Sequence, residues 1–270
     1  MEQRPSPGPA SVERQQMIVA GGRQLRTASF GKFEADRLTL VLMHGGLDCI
    51  ATWKDFPKVL HIATGLSVLA YDRWGYGGSE RLEGRRSPDY RRQEAGPTLG
   101  EVLRHFGIRR AVLVGHSDGG AMALLAAAAH PEIVRGVLGL APQLLMHPVC
   151  EQCMQAARQG FETGDLRQRL ARYHGDNTES MFYGWYGAWC SAEGAAWSMV
   201  RELREVSCTT SVIFGLDDEY GHKPHLEVLI PAFNAPLEIL TLSACGHHPH
   251  HQARAEVLAA VQRLLGRIGG

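Results

Sequence analysis

The chain has 270 residues, 44% of them hydrophobic and 21% charged, the proportions of an ordinary soluble globular protein. That length accommodates one large α/β domain with its own core. Twenty-eight basic residues balance 28 acidic ones, so there is no electrostatic reason to expect nucleic acid or an anionic membrane as partner.

Residues 1–12 are polar and proline-rich, with no apolar stretch of the kind a secretory signal carries, and they read as a disordered tail. No run of about 18 apolar residues exists to span a membrane. The six cysteines, without a signal peptide and in a chain of this size, read as reduced thiols of a cytoplasmic protein.

Residues 17–31 predict a hairpin turning at Gly21-Gly22. Leu38 to Met43 is an apolar strand running into the loop His44-Gly45-Gly46, with a helix from about Thr52. Leu66 to Tyr71 is the next strand, ending in Asp72-Arg73-Trp74-Gly75-Tyr76-Gly77-Gly78-Ser79. The arginine-rich residues 81–92 predict a solvated face. A helix follows to about Phe106, interrupted near Pro97. Ala111 to Val114 is a strand, then comes Gly115-His116-Ser117-Asp118-Gly119-Gly120, then the helix-forming run Ala121 to Ala129. Val137 to Leu140, Thr209 to Phe214 and Leu237 to Leu242 complete the strands. An amphipathic helix over 252–267 closes the chain.

Short, wholly apolar strands alternating with helices predict a parallel sheet covered on both faces. Ligands of such sheets bind at the C-terminal strand ends. Here those ends carry His44-Gly45-Gly46, Asp72-Arg73, Ser117, Asp218 and His247. Residues 142–206 break the alternation. They predict four short helices (about 148–160, 162–172, 178–190 and 193–205), a lid over the strand ends. Its aromatic residues Trp185, Tyr186 and Trp189 are candidates to line an apolar pocket. The predicted organisation is therefore a tail (1–12), a core (13–141 and 207–270) and a helical cap (142–206).

G-x-S-x-G between a strand and a helix predicts a nucleophile elbow with Ser117 at its tip. A serine needs a base, and His247 follows the last strand. The base needs a carboxylate to fix its tautomer, and Asp217 and Asp218 both follow the preceding strand. The oxyanion of a tetrahedral intermediate needs backbone donors. The N–H of Asp118 is one candidate; the His44–Gly46 loop, with Gly46 favoured, supplies the other.

These motifs (His-Gly-Gly at 44–46, Asp-Arg-Trp-Gly-Tyr-Gly-Gly-Ser at 72–79, Gly-His-Ser-Asp-Gly-Gly at 115–120, Gly-Leu-Asp-Asp at 215–218 and Gly-His at 246–247) resemble those of the α/β-hydrolase superfamily. The resemblance runs from about residue 17 to 267. It implies the α/β-hydrolase fold and the chain order Ser117, Asp218, His247. It favours Asp218 over Asp217 and His247 over His248. It also implies a cofactor-free serine hydrolase acting on an ester or lactone, with a C–C bond hydrolase, or a binding protein or lyase on the same fold, as alternatives. Haloalkane dehalogenases and epoxide hydrolases look similar but use an aspartate nucleophile, so Ser117 argues against both. Ser-Asp-Gly-Gly resembles the elbow of valacyclovir-hydrolase-like enzymes, whose aspartate holds a substrate ammonium. The plainer reading of Asp118 is a carboxylate at a helix N-terminus.

Cys150-x-x-Cys153 and the histidines at 247–251 do not amount to a predicted metal site, and no cofactor is expected. The expected partner is a small-molecule substrate, with a homo-oligomer left open. His44 and His116 read as hydrogen-bonded scaffolding.

Overall fold

The protein is described by a computed structural model covering residues 13–269; the tail expected over residues 1–12 lies outside the described residues. Eight strands form one sheet: β1 (Arg14–Ala20), β2 (Arg23–Phe30), β3 (Thr39–Met43), β4 (Ser67–Tyr71), β5 (Ala111–His116), β6 (Val134–Leu140), β7 (Thr209–Gly215) and β8 (Leu237–Leu242). Their order is β1-β2-β4-β3-β5-β6-β7-β8. Only the pairings of β2, with β1 and with β4, are antiparallel. Gly21 and Gly22 close the β1–β2 hairpin with φ of 60° and 69°, the left-handed pair that matches the twist of the flanking strands.

The wholly apolar strands are buried on both faces, as alternation within them shows. Leu40 and Leu42 of β3 join one core with Val112, Val114 and Ile213; Val41 and Met43 join the other with Leu113 and Phe214. Among the described residues twelve α-helices accompany the sheet. On one face lie α1 (Phe56–Thr64) and, at the chain's end, a helix described below. On the other lie α2 (Tyr90–Gln93), α3 (Leu99–His105) and α4 (Asp118–Ala129). Pro97 has no N–H to donate, and the chain between α2 and α3 widens into a π-turn over Glu94–Thr98.

Between β6 and β7 come α5 (Pro148–Thr163), α6 (Leu166–His174), α7 (Thr178–Trp189), α8 (Ala192–Ala195) and α9 (Val200–Leu203). The last expected helix, over 193–205, is thus two short ones, parted where Ser198 makes an isolated bridge to Leu145. Phe161 of α5 stacks on Phe182 of α7 with centroids 3.9 Å apart, which fastens those two helices together. After β7 come α10 (Lys223–Ala232), α11 (Pro249–Gln252) and α12 (Arg254–Ile268). The closing helix α12 packs Val257, Val261 and Leu264 against the face shared with α1. Among the described residues no helix is long and apolar enough to cross a membrane.

Candidate active site

β5 ends at His116 and α4 begins at Asp118, so Ser117 alone makes the turn. Its φ of 53° and ψ of −116° are strained for a residue with a side chain, a cost of about 1–3 kcal/mol. The surroundings hold it there. The Ser117 N–H donates to the Leu140 carbonyl (2.8 Å), and its own carbonyl accepts from Gln143 N–H (3.1 Å). The turn closes only because Gly119 has no Cβ: one placed there would overlap the carbonyl oxygens of Met43 and His44.

The hydroxyl of Ser117 lies 2.9 Å from His247 Nε2, across 130 residues of sequence. His247 Nδ1 lies 3.0 Å from both carboxylate oxygens of Asp218. Tyr220 N–H donates to Asp218 Oδ1 (2.9 Å), and the Tyr220 ring packs on the His247 ring at 4.4 Å. Burial would raise the Asp218 carboxyl, but the hydrogen bond and charge of His247 outweigh it and hold the group below the usual range. Asp217, the other candidate, is exposed. His248 is half-buried beside His116 and lies outside the contact with Ser117.

A cavity of about 110 Å³ opens beside these groups, lined among others by Gly46, Ser117, Gln143, Met154, Trp185 and Trp189. Trp185 comes so close to Gly46 that a Cβ there would overlap the indole nitrogen, which brings α7 directly over the loop after β3. Tyr186 does not line this cavity, contrary to expectation. One residue further along α7, its ring points about 100° away. Its hydroxyl donates to Gln155 on α5, and Arg158 lies over its ring.

Asp118 stands in the first turn of α4, the plainer of its two readings, and its side chain, 2% exposed, has no open face for a substrate ammonium. Arg91 Nε donates to Oδ1 (2.6 Å), while Arg73 Nη1 (3.1 Å) and the Tyr90 hydroxyl (2.6 Å) donate to Oδ2. Burial pushes the carboxyl up, yet Arg91, Arg73 and Tyr90 together bring it down to about 2. Nor are residues 81–92 a uniformly solvated face: Arg86 and Arg91 are buried. The Arg91 guanidinium lies 3.5 Å from the Trp189 ring centroid and 4.5 Å from that of Trp197. Arg86 sits over Tyr76 and Tyr90. Stacking on aromatic faces, together with the carboxylates of Asp118 beside Arg91 and Glu94 beside Arg86, lets these cations leave water.

His116 has both ring nitrogens engaged, Nδ1 with Asp48 Oδ2 (2.9 Å) and Nε2 with the His247 carbonyl (2.8 Å), so it braces the loop that carries the base. Asp48, His116 and His248 are the one grouping among the described residues whose donor atoms, all within 4.8 Å of one another, could hold a metal ion. Cys150 and Cys153 are free thiols; Cys150 Sγ accepts from Gln143 Nε2 at 2.7 Å. Sequence reasoning placed Arg73 at the strand ends without a partner, and missed Tyr90, Arg91 and Tyr220 as parts of the site. The available signal was the carboxylate at the elbow, because a buried carboxylate requires partners.

Residues 39–204 match the family described as alpha/beta hydrolase fold. The chain is 30% identical over 125 residues to the AB hydrolase superfamily protein YfhM of Bacillus subtilis, spanning 46% of this chain and 42% of that one. It is 34% identical over 131 residues to Epoxide hydrolase A of Mycobacterium tuberculosis, spanning 48% of this chain and 38% of that one. The matches therefore span less than half the length of these curated relatives. The crystal structure of naproxen esterase (carboxylesterase NP) from Bacillus subtilis superimposes with a TM-score of 0.69 at 17% identity, covering 95% of this chain and 92% of that one. At that identity the likeness is one of fold.

Proposed function

The chain belongs to the α/β-hydrolase family, and on that footing we propose that it is a cofactor-free serine hydrolase cleaving a small carboxylic ester or lactone. One observation carries the reading: Ser117 Oγ, His247 Nε2 and the Asp218 carboxylate form an unbroken hydrogen-bonded chain at the edge of an open cavity. His247 Nε2 takes the Ser117 proton as Oγ attacks the substrate carbonyl. The carbonyl oxygen gains negative charge and is held by the N–H groups of Gly46 and Asp118. His247 then hands its proton to the departing alkoxide. Water, deprotonated by the same imidazole, releases the acid from Ser117. Asp218 keeps the His247 proton on Nδ1 and offsets the imidazolium charge. Ser117 stands where the resemblance assigns aspartate to epoxide hydrolases, which separates this chain from that chemistry.

Cavity size supports a short acyl group. A volume of about 110 Å³ is below the roughly 150 Å³ of an apolar cavity that holds benzene. That suits an acyl chain of a few heavy atoms better than a ring-cleavage product, so the C–C hydrolase reading is the weaker one. The helices between β6 and β7 then serve as a cap, with Trp185 and Trp189 as the pocket wall.

The test is hydrolysis of p-nitrophenyl esters from acetate to octanoate by the full chain and by Ser117→Ala, with fluorophosphonate labelling alongside. Expected are labelling that depends on Ser117 and kcat/KM highest for the two or three shortest acyl chains. Failure of the wild type either to label or to hydrolyse any ester would overturn the reading in favour of binding or lyase chemistry.

A further inference from the structure

We propose that Arg73 is a positioning residue that locks both oxyanion donors to one rigid group, a role that rests on the serine-hydrolase reading above. Arg73 follows β4, is fully buried, and lies behind the catalytic edge rather than in the cavity. Its backbone N–H donates to His44 Nε2 (3.1 Å), so Nε2 is the accepting nitrogen and the His44 ring proton is on Nδ1. That proton is donated to the Gly45 carbonyl at 2.9 Å. The Arg73 guanidinium donates to the same oxygen through Nη2 at 2.7 Å, and to the His44 carbonyl at 3.2 Å.

The Gly45 carbonyl is the other half of the peptide that carries the Gly46 N–H. The Asp48 N–H is a third and longer donor to it, at 3.4 Å. A peptide unit is planar, so fixing its oxygen with these donors fixes the direction of the N–H on its far side. Donors on the oxygen, one of them charged, also draw electron density toward it and leave the N–H a stronger donor. Arg73 Nη1 meanwhile holds Asp118 through Oδ2 at 3.1 Å. A single planar group thus reaches the peptide of one donor and the side chain of the other. The Tyr76 ring, 4.5 Å from the guanidinium, and Met122 Sδ, 3.5 Å from Nη1, keep the plane in place. Lysine, with one nitrogen and no fork, cannot make both reaches at once.

The role is tested in the full chain with Arg73→Lys and Arg73→Met, the number of competent sites being counted by fluorophosphonate titration. Lysine keeps a buried cation beside Asp118, so that variant remains informative if the methionine variant fails to fold. Per labelled site, kcat for a short-chain aryl ester is expected to fall about 10- to 100-fold, less than the 10²–10³-fold of deleting a donor outright. KM should stay within about threefold. Affinity for an alkylboronic acid, which becomes tetrahedral on Ser117, should fall by a factor matching kcat. A purely structural role predicts a lower count of competent sites with unchanged kcat and boronate affinity per site, and that result would overturn the proposal. A wild type that neither labels nor turns over would instead sink the serine-hydrolase reading itself, which keeps the two failures apart.

Discussion

Two carboxylates flank the nucleophile, and both sit below the usual carboxylate range, yet their surroundings differ in kind. Asp218 faces an imidazole in a contact that reaches the cavity through Ser117. Asp118 faces two guanidiniums and a phenol in a layer closed to solvent. A proton that must move through the site calls for a partner able to gain and lose charge at neutral pH, which histidine is. A backbone donor that must stay still calls for partners that never change charge, which arginine supplies. The first carboxylate is therefore read as serving chemistry and the second as serving geometry.

The largest test of that division is Asp218→Asn. An amide offers His247 Nδ1 a similar shape without the charge and can favour the wrong tautomer, so kcat should fall by about 10⁴. The melting temperature should change little beside that loss. Steady-state kinetics and a thermal scan on the same preparation check it. A drop in kcat of less than tenfold would mean that Asp218 is not the triad acid.

Next in size is Asp118→Asn, where the order of effects reverses. Removing this carboxylate leaves Arg73 and Arg91 buried without their counter-charge, and breaking such a cluster costs about 3–5 kcal/mol. Urea unfolding at neutral pH measures it. A loss below about 1 kcal/mol would show that the stacking of Arg91 on Trp189 and Trp197 carries the burial of that cation unaided.

The same division marks how far the sequence can be read. Ser117, Asp218 and His247 each follow a strand; β5 and β8 are announced by mostly apolar runs, and β7 by Val212, Ile213 and Phe214 after three small polar residues. Fixing the strand ends therefore fixes which edge of the sheet those residues share. The arginine layer has no such local signal. Arg86 and Arg91 stand in a charged stretch that reads as solvated, and the aromatic rings that bury Arg91 arrive about a hundred residues later from α7 and the chain before α9. The cap shows the same limit within one helix. Trp185 lines the cavity and Tyr186 does not. Aromatic residues occupy so much of the circumference of α7 that hydrophobic periodicity cannot set its phase. Gly46 lies between these cases: the motif exposes it, while its close approach to Trp185 depends on how α7 docks.

The smallest effect concerns acid. Asp118 titrates at about 2 in the folded chain, against 3.8 for an unperturbed aspartate. A folded-state pKa below the unfolded one means the unfolded chain binds the extra proton first, so the stabilisation is complete above about pH 4 and drains away as pH falls toward 2. Each unit is worth about 1.4 kcal/mol, so the ionised Asp118 contributes about 2 kcal/mol over that window. Asp118→Asn has no such group to titrate. The stability gap between wild type and this variant should hence be constant above about pH 5 and narrow by about 2 kcal/mol by pH 2, as wild-type Asp118 takes up its own proton. Buried histidines do not confuse the reading. His225, pushed down to about 4 by burial, also weakens the fold as pH falls below its unperturbed 6.5, but it does so equally in both chains and cancels in the difference. Urea titrations at half-unit steps from pH 6 to pH 2 follow the gap directly. A gap that stayed constant to pH 2 would mean that Asp118 binds its proton equally well in the folded and the unfolded chain, so that burial cancels the pull of Arg73, Arg91 and Tyr90.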